Sequence, residues 1–94
     1  EAFIEAPVLH RFIGILEDEG VRGYSVLPVV SGSGADGVWS REGSITAAGQ
    51  MVAVVCIVSP EALEPLLEKA FAMLSRHMGI VSVSDCAVMR GDRF

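Results

Sequence analysis

The sequence predicts an α+β domain in which an antiparallel sheet carries two helices on one face. Three observations predict it. Two segments, 7–19 and 60–76, carry apolar residues at helical spacing. Three β-rich segments, 21–30, 51–58 and 80–89, alternate with them, and a shorter one, 1–6, precedes them. One glycine-rich break, 31–49, separates the two middle strands. The resulting order, β-α-β-β-α-β, is that of the ferredoxin-like sandwich.

The first strand is short, and the chain starts inside it. Pro7 suits the first turn of a helix, where a missing N–H costs nothing. Val8, Leu9, Phe12, Ile13 and Leu16 then form one apolar stripe. Glu17, Asp18 and Glu19 oppose the helix dipole at its C-terminal end, so Gly20 is the expected stop. In segment 21–30, Pro28 cannot donate to a ladder, which implies an edge strand or a bulge. From 31 to 49 there is no periodicity, and glycine recurs at Gly32, Gly34, Gly37, Gly43 and Gly49. A break this long is expected to be functional or flexible.

Residues 51–58, MVAVVCIV, are unbroken apolar and read as a strand covered on both faces. Ser59, Pro60 and Glu61 form a helix start: a cap, a first-turn proline and an acid at the positive end. Leu63, Leu66, Leu67, Ala70, Phe71 and Leu74 continue the helix on one stripe, and Gly79 terminates the turn before the last strand.

Ninety-four residues make one domain, and 51% hydrophobic content supports a real core. With only 20% charged residues and a mean hydropathy of +0.50, the chain is apolar for its size. Two readings account for that: apolar surface buried between subunits, or a tightly packed monomer. The net charge of −5 and the scattered basic residues argue against nucleic acid as a partner. No stretch is long and apolar enough to span a membrane, and no export signal opens the chain. Cys56 and Cys86 fall in predicted strands without a C-x-x-C, so buried free thiols in a cytoplasmic protein are expected rather than a disulfide or zinc site.

Residues 32–37, GSGADG, match G-x-G-x-x-G, but no helical pattern follows, so the dinucleotide fingerprint fails on context. Two readings of the break remain: a backbone concavity that holds an anion, aided by Ser31 and Ser33, or a loop with glycine for mobility. Arg41 and Arg90 are candidates for phosphate contact, since a guanidinium pairs two oxygens at once. Arg90 is the better placed, at the close of an apolar strand. Trp39 can stack on a base, dock into a partner or fold back on the core. His10 and His77 lie on different segments and read as surface or helix-end residues, not ligands. No catalytic set is present, and Asp85 alone is no base, so no enzyme is expected.

Residues 17–34, EDEGVRGYSVLPVVSGSG, resemble the PII signal-transduction proteins. In that family a similar E-x-G-[IV]-x-G-[MY]-[ST]-V turn ends the first helix, and the second strand runs into a G-x-G at the base of a long loop, the T-loop. Residues 79–94, GIVSVSDCAVMRGDRF, resemble the last PII strand and the R-G-x-x-F ending of PII-like relatives. Residues 51–76 have the matching strand-helix character. The resemblance implies a homotrimer of ferredoxin-like subunits that binds an adenine nucleotide (AMP, ADP, ATP or cyclic AMP) between neighbours, with the T-loop reporting to a partner, often a membrane transporter. Gly23 and Ser25 match the turn beside the adenosine. Gly32, Ser33 and Gly34 match the T-loop base by the phosphates. Gly79 matches a glycine of the short loop before the last strand, and Arg90 a phosphate-contacting arginine. Trp39 and Arg41 fall in the loop that would meet the partner.

Three departures accompany the resemblance. The loop is short and lacks a tyrosine, Ile80 replaces a basic residue, and Ala35 and Asp36 stand where a glutamine is expected. These count against ATP–magnesium and 2-oxoglutarate. They resemble divergent PII-like groups tied to inorganic-carbon uptake or cation efflux, some of which also take bicarbonate. The alternatives are a CutA-like trimer linked to divalent metal tolerance, and an amino-acid-sensing module or interface enzyme.

Overall fold

A computed structural model describes residues 1–34 and 50–91, and the backbone of 37–40. The elements run β1 (Ala2–Glu5), a 3-10 turn (Ala6–Val8), α1 (Leu9–Asp18), β2 (Tyr24–Pro28), β3 (Ser31–Gly34), β4 (Gly37–Ser40), β5 (Met51–Cys56), α2 (Pro60–Leu74) and β6 (Gly79–Val81). The main sheet has the order β2-β5-β1-β6, with antiparallel neighbours throughout, while β3 and β4 form a separate hairpin. The expected α+β sandwich is therefore present, and Pro28 lies on an edge strand as its missing N–H requires.

Register explains the two faces. Val26, Val54, Ala2 and Val81 form one row across the sheet, and Leu27, Ala53, Phe3 and Ile80 the next. Side chains alternate between faces along each strand. Ala2, Ile4, Val52 and Val54 therefore share one face, where they meet Phe12 and Leu16 of α1 and Leu66, Ala70 and Met73 of α2 in a single core. Ile4, Leu16 and Val54 are its most enclosed large side chains. Burying each contributes about 1.5–3 kcal/mol. The opposite face carries Phe3, Leu27, Met51, Ala53, Val55 and Ile80. Met51 and Ala53 are buried, but Val55 on the same strand is 37%, Leu27 47% and Ile80 61% exposed, so the expectation of a strand covered on both faces holds only for its first four residues.

Helix α1 stops at Gly20 by backbone chemistry. Gly20 has φ of 80°, its N–H donates to the Glu17 carbonyl at 3.0 Å, and the Val21 N–H donates to the Leu16 carbonyl at 2.9 Å. These paired bonds make a Schellman cap, with Val21 and Leu16 buried as its hydrophobic contact. Val21 is thus the seal of the helix, and β2 starts only at Tyr24. The acidic end of α1 gains a partner across the helix pair, because Lys69 of α2 forms an ion pair with Glu19.

At the start of α2, Ser59 occupies the cap position, but its side chain makes no capping bond; its carbonyl accepts from the Ala62 N–H instead. Pro65 lies inside α2 and deprives the Glu61 carbonyl of an intrahelical donor. Both residues are exposed, so water can serve that carbonyl. No helix among the described residues is long and apolar enough to cross a membrane.

Two strand expectations are corrected. The break at 31–49 is not wholly irregular: Ser31 pairs with Ser40, Gly32 with Trp39, Ser33 with Val38 and Gly34 with Gly37. The last strand ends at Val81, not Met89. Its ladder with β1 runs from Gly79 to Val81, and beyond it the Glu1 amino group donates to the Ser82 carbonyl at 2.8 Å while Ser82 N–H donates to the Glu1 carbonyl. Residues 83–88 run on without a ladder partner among the described residues.

Candidate functional site

The candidate residues divide between the two edges of the main sheet. Gly23 immediately precedes edge strand β2, and Ser25 lies on it opposite Val55. Every residue of β2 is exposed. Gly32, Ser33 and Gly34 follow on β3, reached from β2 through residues 29–30. Gly79 opens β6, the opposite edge, and Arg90 lies further along the segment that leaves β6. Three inter-strand gaps, about 14 Å in all, separate the edges. Gly23 and Ser25 lie at the start of β2 and the β3 glycines beyond its far end, and neither group lies on the border that carries Gly79.

Backbone geometry decides between the two readings of the 31–34 segment. An anion concavity needs successive N–H groups turned to one side, in alternating right- and left-handed conformations. In β3 the backbone is extended and paired with β4, so successive N–H groups point to opposite sides. Ser31–Gly34 is therefore neither a formed anion nest nor an irregular loop. Trp39 lies on β4 opposite Gly32, and its side chain, like the whole of Arg41, lies outside the described residues.

Gly79 has a packing reason to be glycine. A Cβ there would stand 3.0 Å from the Phe3 carbonyl oxygen, 3.4 Å from Leu74 Cδ2 and 3.5 Å from Ile4 Cγ2. The turn leading into it is held at several points. Ser75 N–H donates to the Phe71 carbonyl and His77 N–H to the Leu74 carbonyl, each at 3.0 Å. Met78 N–H donates to Oε1 of Glu5 at 2.9 Å, and His77 Nδ1 lies 3.8 Å from the same oxygen. The sequence offered no signal for this role of Glu5, which reads there only as a polar residue closing a short strand.

Arg90 is exposed and has φ of 64°. It is the one non-glycine residue in the left-handed region among those described. For an L side chain that conformation costs about 1–2 kcal/mol.

The thiols differ from expectation. Both are free, but Cys56 is only half-buried and Cys86 is exposed, because the chain at Cys86 has left the sheet. Burial pushes the Cys56 thiol pKa up, opposed by the positive amino terminus. Both line an apolar cleft of about 890 Å³ between the end of β5, α2 and residues 82–88. None of the nucleotide-site candidates lines it. Among the described residues no group of three or more His, Cys, Asp or Glu is arranged to hold a metal ion.

Comparison with known proteins places this geometry in context. The family model for the nitrogen regulatory protein P-II matches residues 1–93. Among solved structures, CPII from Thiomonas intermedia K12, a nitrogen regulatory PII-like protein bound to ADP, AMP and bicarbonate, superposes with a TM-score of 0.89 at 26% identity. That match covers 99% of this chain and 88% of CPII. CPII bound to ADP and bicarbonate gives a TM-score of 0.81 at 28% identity over the same shares. A PII-like protein from Thermus thermophilus shares the fold, with a TM-score of 0.81 at 22% identity over 99% of this chain and 89% of that one. No curated protein matches the sequence.

Proposed function

The chain belongs to the nitrogen regulatory protein P-II family, and from that premise we propose that it is a non-enzymatic, cytoplasmic sensor. Three copies assemble, and an adenine nucleotide binds in each cleft between neighbours. The observation that carries this reading is the match to a nucleotide-bound PII-like structure over 99% of the chain. The division of the candidate residues between two opposite, open edges supports it. A site that uses Gly23, Ser25 and the β3 glycines from one subunit and Gly79 from the next has both halves available only where copies meet.

In this reading the chain is one domain whose segment 31–49 responds to occupancy. Arg90 pairs phosphate oxygens, and Trp39 and Arg41 contact the regulated partner, an inorganic-carbon or cation transport system. Bicarbonate is a candidate second ligand, since CPII holds it beside ADP. A loop of small residues gains order only when bound contacts offset its conformational entropy, which suits a two-state report.

Calorimetric titration with AMP, ADP, ATP and cyclic AMP, each with and without bicarbonate, tests the proposal. Saturable binding near one site per subunit is the expected result, and the tightest ligand identifies the signal. Absence of binding to every nucleotide in both buffers removes the sensor function and leaves the fold standing.

A further inference from the structure

We infer that Glu5 is a positioning residue for the nucleotide site, acting through the turn between α2 and β6; the inference rests on the adenine-nucleotide reading above. The β1–β6 register ends at Ile4 opposite Gly79. One step further, the Met78 N–H does not pass to backbone but to the Glu5 side chain, at 2.9 Å. Glu5 reaches it from the end of β1, a central strand paired on both sides, and 73 positions away in sequence. The other bonds that shape this turn, from Ser75 and His77, stay within the α2 end itself. Glu5 alone, among the described residues, ties the backbone N–H of the turn to the rigid sheet through a side chain.

The chemistry suits a clamp. A carboxylate accepts an N–H bond more strongly than a neutral oxygen does, and the glutamate stem has the length to reach a neighbouring strand end. The side chain is 24% exposed, so the bond is partly shielded from water. His77, with Nδ1 3.8 Å from the same oxygen, adds a weaker attraction whenever it is protonated. Gly79 follows directly, and a Cβ added there would stand 3.0 Å from the Phe3 carbonyl oxygen. The turn is thus tied to β1 at two successive points, by the Glu5 carboxylate at the Met78 N–H and by the pairing of Gly79 with Ile4. A ligand that contacts this turn meets a backbone already oriented, and loss of the clamp leaves it to be ordered during binding.

Glu5→Ala and Glu5→Gln, compared with the unaltered protein, test the inference by ADP titration and by hydrogen exchange of the Met78 amide. Glu5→Ala is expected to weaken ADP binding about tenfold and to speed Met78 exchange by a similar factor, while amides of β1 and β5 stay protected. Glu5→Gln keeps an acceptor oxygen at the same reach and is expected to remain within about threefold of the original on both measures. Should Glu5→Ala not fold, Glu5→Met fills the same space without an acceptor and is read in its place. Unchanged ADP affinity in the variant lacking the acceptor overturns the positioning role, even if Met78 exchange rises. Equal losses in Glu5→Gln and Glu5→Ala overturn the hydrogen-bond mechanism. If the unaltered protein binds no adenine nucleotide, the sensor reading itself fails, and that outcome is seen before any variant is made.

Discussion

Replacing Arg90 separates conformational cost from ligand contact, because the residue is strained and exposed at once. Its φ of 64° costs an L residue about 1–2 kcal/mol. Glycine adopts that conformation freely but adds about 0.4–1 kcal/mol of unfolded-state entropy. Arg90→Gly is therefore expected to be between neutral and about 1.6 kcal/mol more stable than the original. Arg90→Ala keeps the strain and is expected to sit near zero. If Arg90 pairs phosphate oxygens, each variant loses a charge-assisted contact of about 1.5–3 kcal/mol, or about ten- to a hundredfold in nucleotide affinity. Arg90→Lys retains charge without the fork and falls between. Urea melts at one fixed protomer concentration give the stabilities, since assembly would otherwise shift them. Calorimetry gives the affinities. Two results refute the reasoning. Wild-type affinity in both Arg90→Gly and Arg90→Ala removes Arg90 from the site. An Arg90→Gly protein less stable than Arg90→Ala means that the left-handed turn is not where the cost lies.

Three glycines are expected to respond to alanine in three ways, measured by denaturant melts. Gly14, inside α1 with open space around its Cβ position, gains about 0.5–1 kcal/mol; Gly20, equally open but at φ of 80°, loses about 1 kcal/mol; Gly79 loses more, because the Phe3 carbonyl stands 3.0 Å from the new Cβ. A stabilised Gly79→Ala would show that the sheet yields there at no cost. Leu27→Glu and Ile80→Glu place charge on the open sheet face, and if the proposed trimer forms there, light scattering is expected to show smaller assemblies than the unaltered protein. Trimers that persist in both variants would move the subunit interface elsewhere.

Most of the fold was legible because its signals are local. Pro28 declared an edge, and Gly20 declared a helix end through a conformation that few other residues adopt. The α2 stripe survived Pro65 because burial of Leu66, Ala70 and Met73 outweighs one lost backbone bond. The β3–β4 hairpin escaped because Ser-Gly-Ser-Gly has no apolar alternation to read. The last strand was overextended for the opposite reason. Val81, Ser82, Val83 and Ser84 alternate as a strand should, but alternation states a preference and pairing needs a neighbour. The Glu5 clamp had no signal at all, since a contact across 73 positions leaves no trace in spacing.

The candidate site was legible as a set of residues but not as a place, and the sheet order explains why. In sequence, Gly23 and Ser25 lie far from Gly79 and Arg90, and nothing in their spacing says whether folding closes that distance. The order β2-β5-β1-β6 does not close it for Gly79, which lies on the border opposite Gly23 and Ser25, with β5 and β1 between them. Folding thus completes the hydrophobic core on one face while leaving two open edges and an apolar row, Leu27 to Ile80, on the other. An exposed edge with unpaired backbone groups and apolar neighbours is a hazard that proteins cover or pair. In the proposed trimer identical copies cover this surface, and a ligand held where one copy's β2 border meets another's β6 border would couple its own occupancy to the assembly that creates its site.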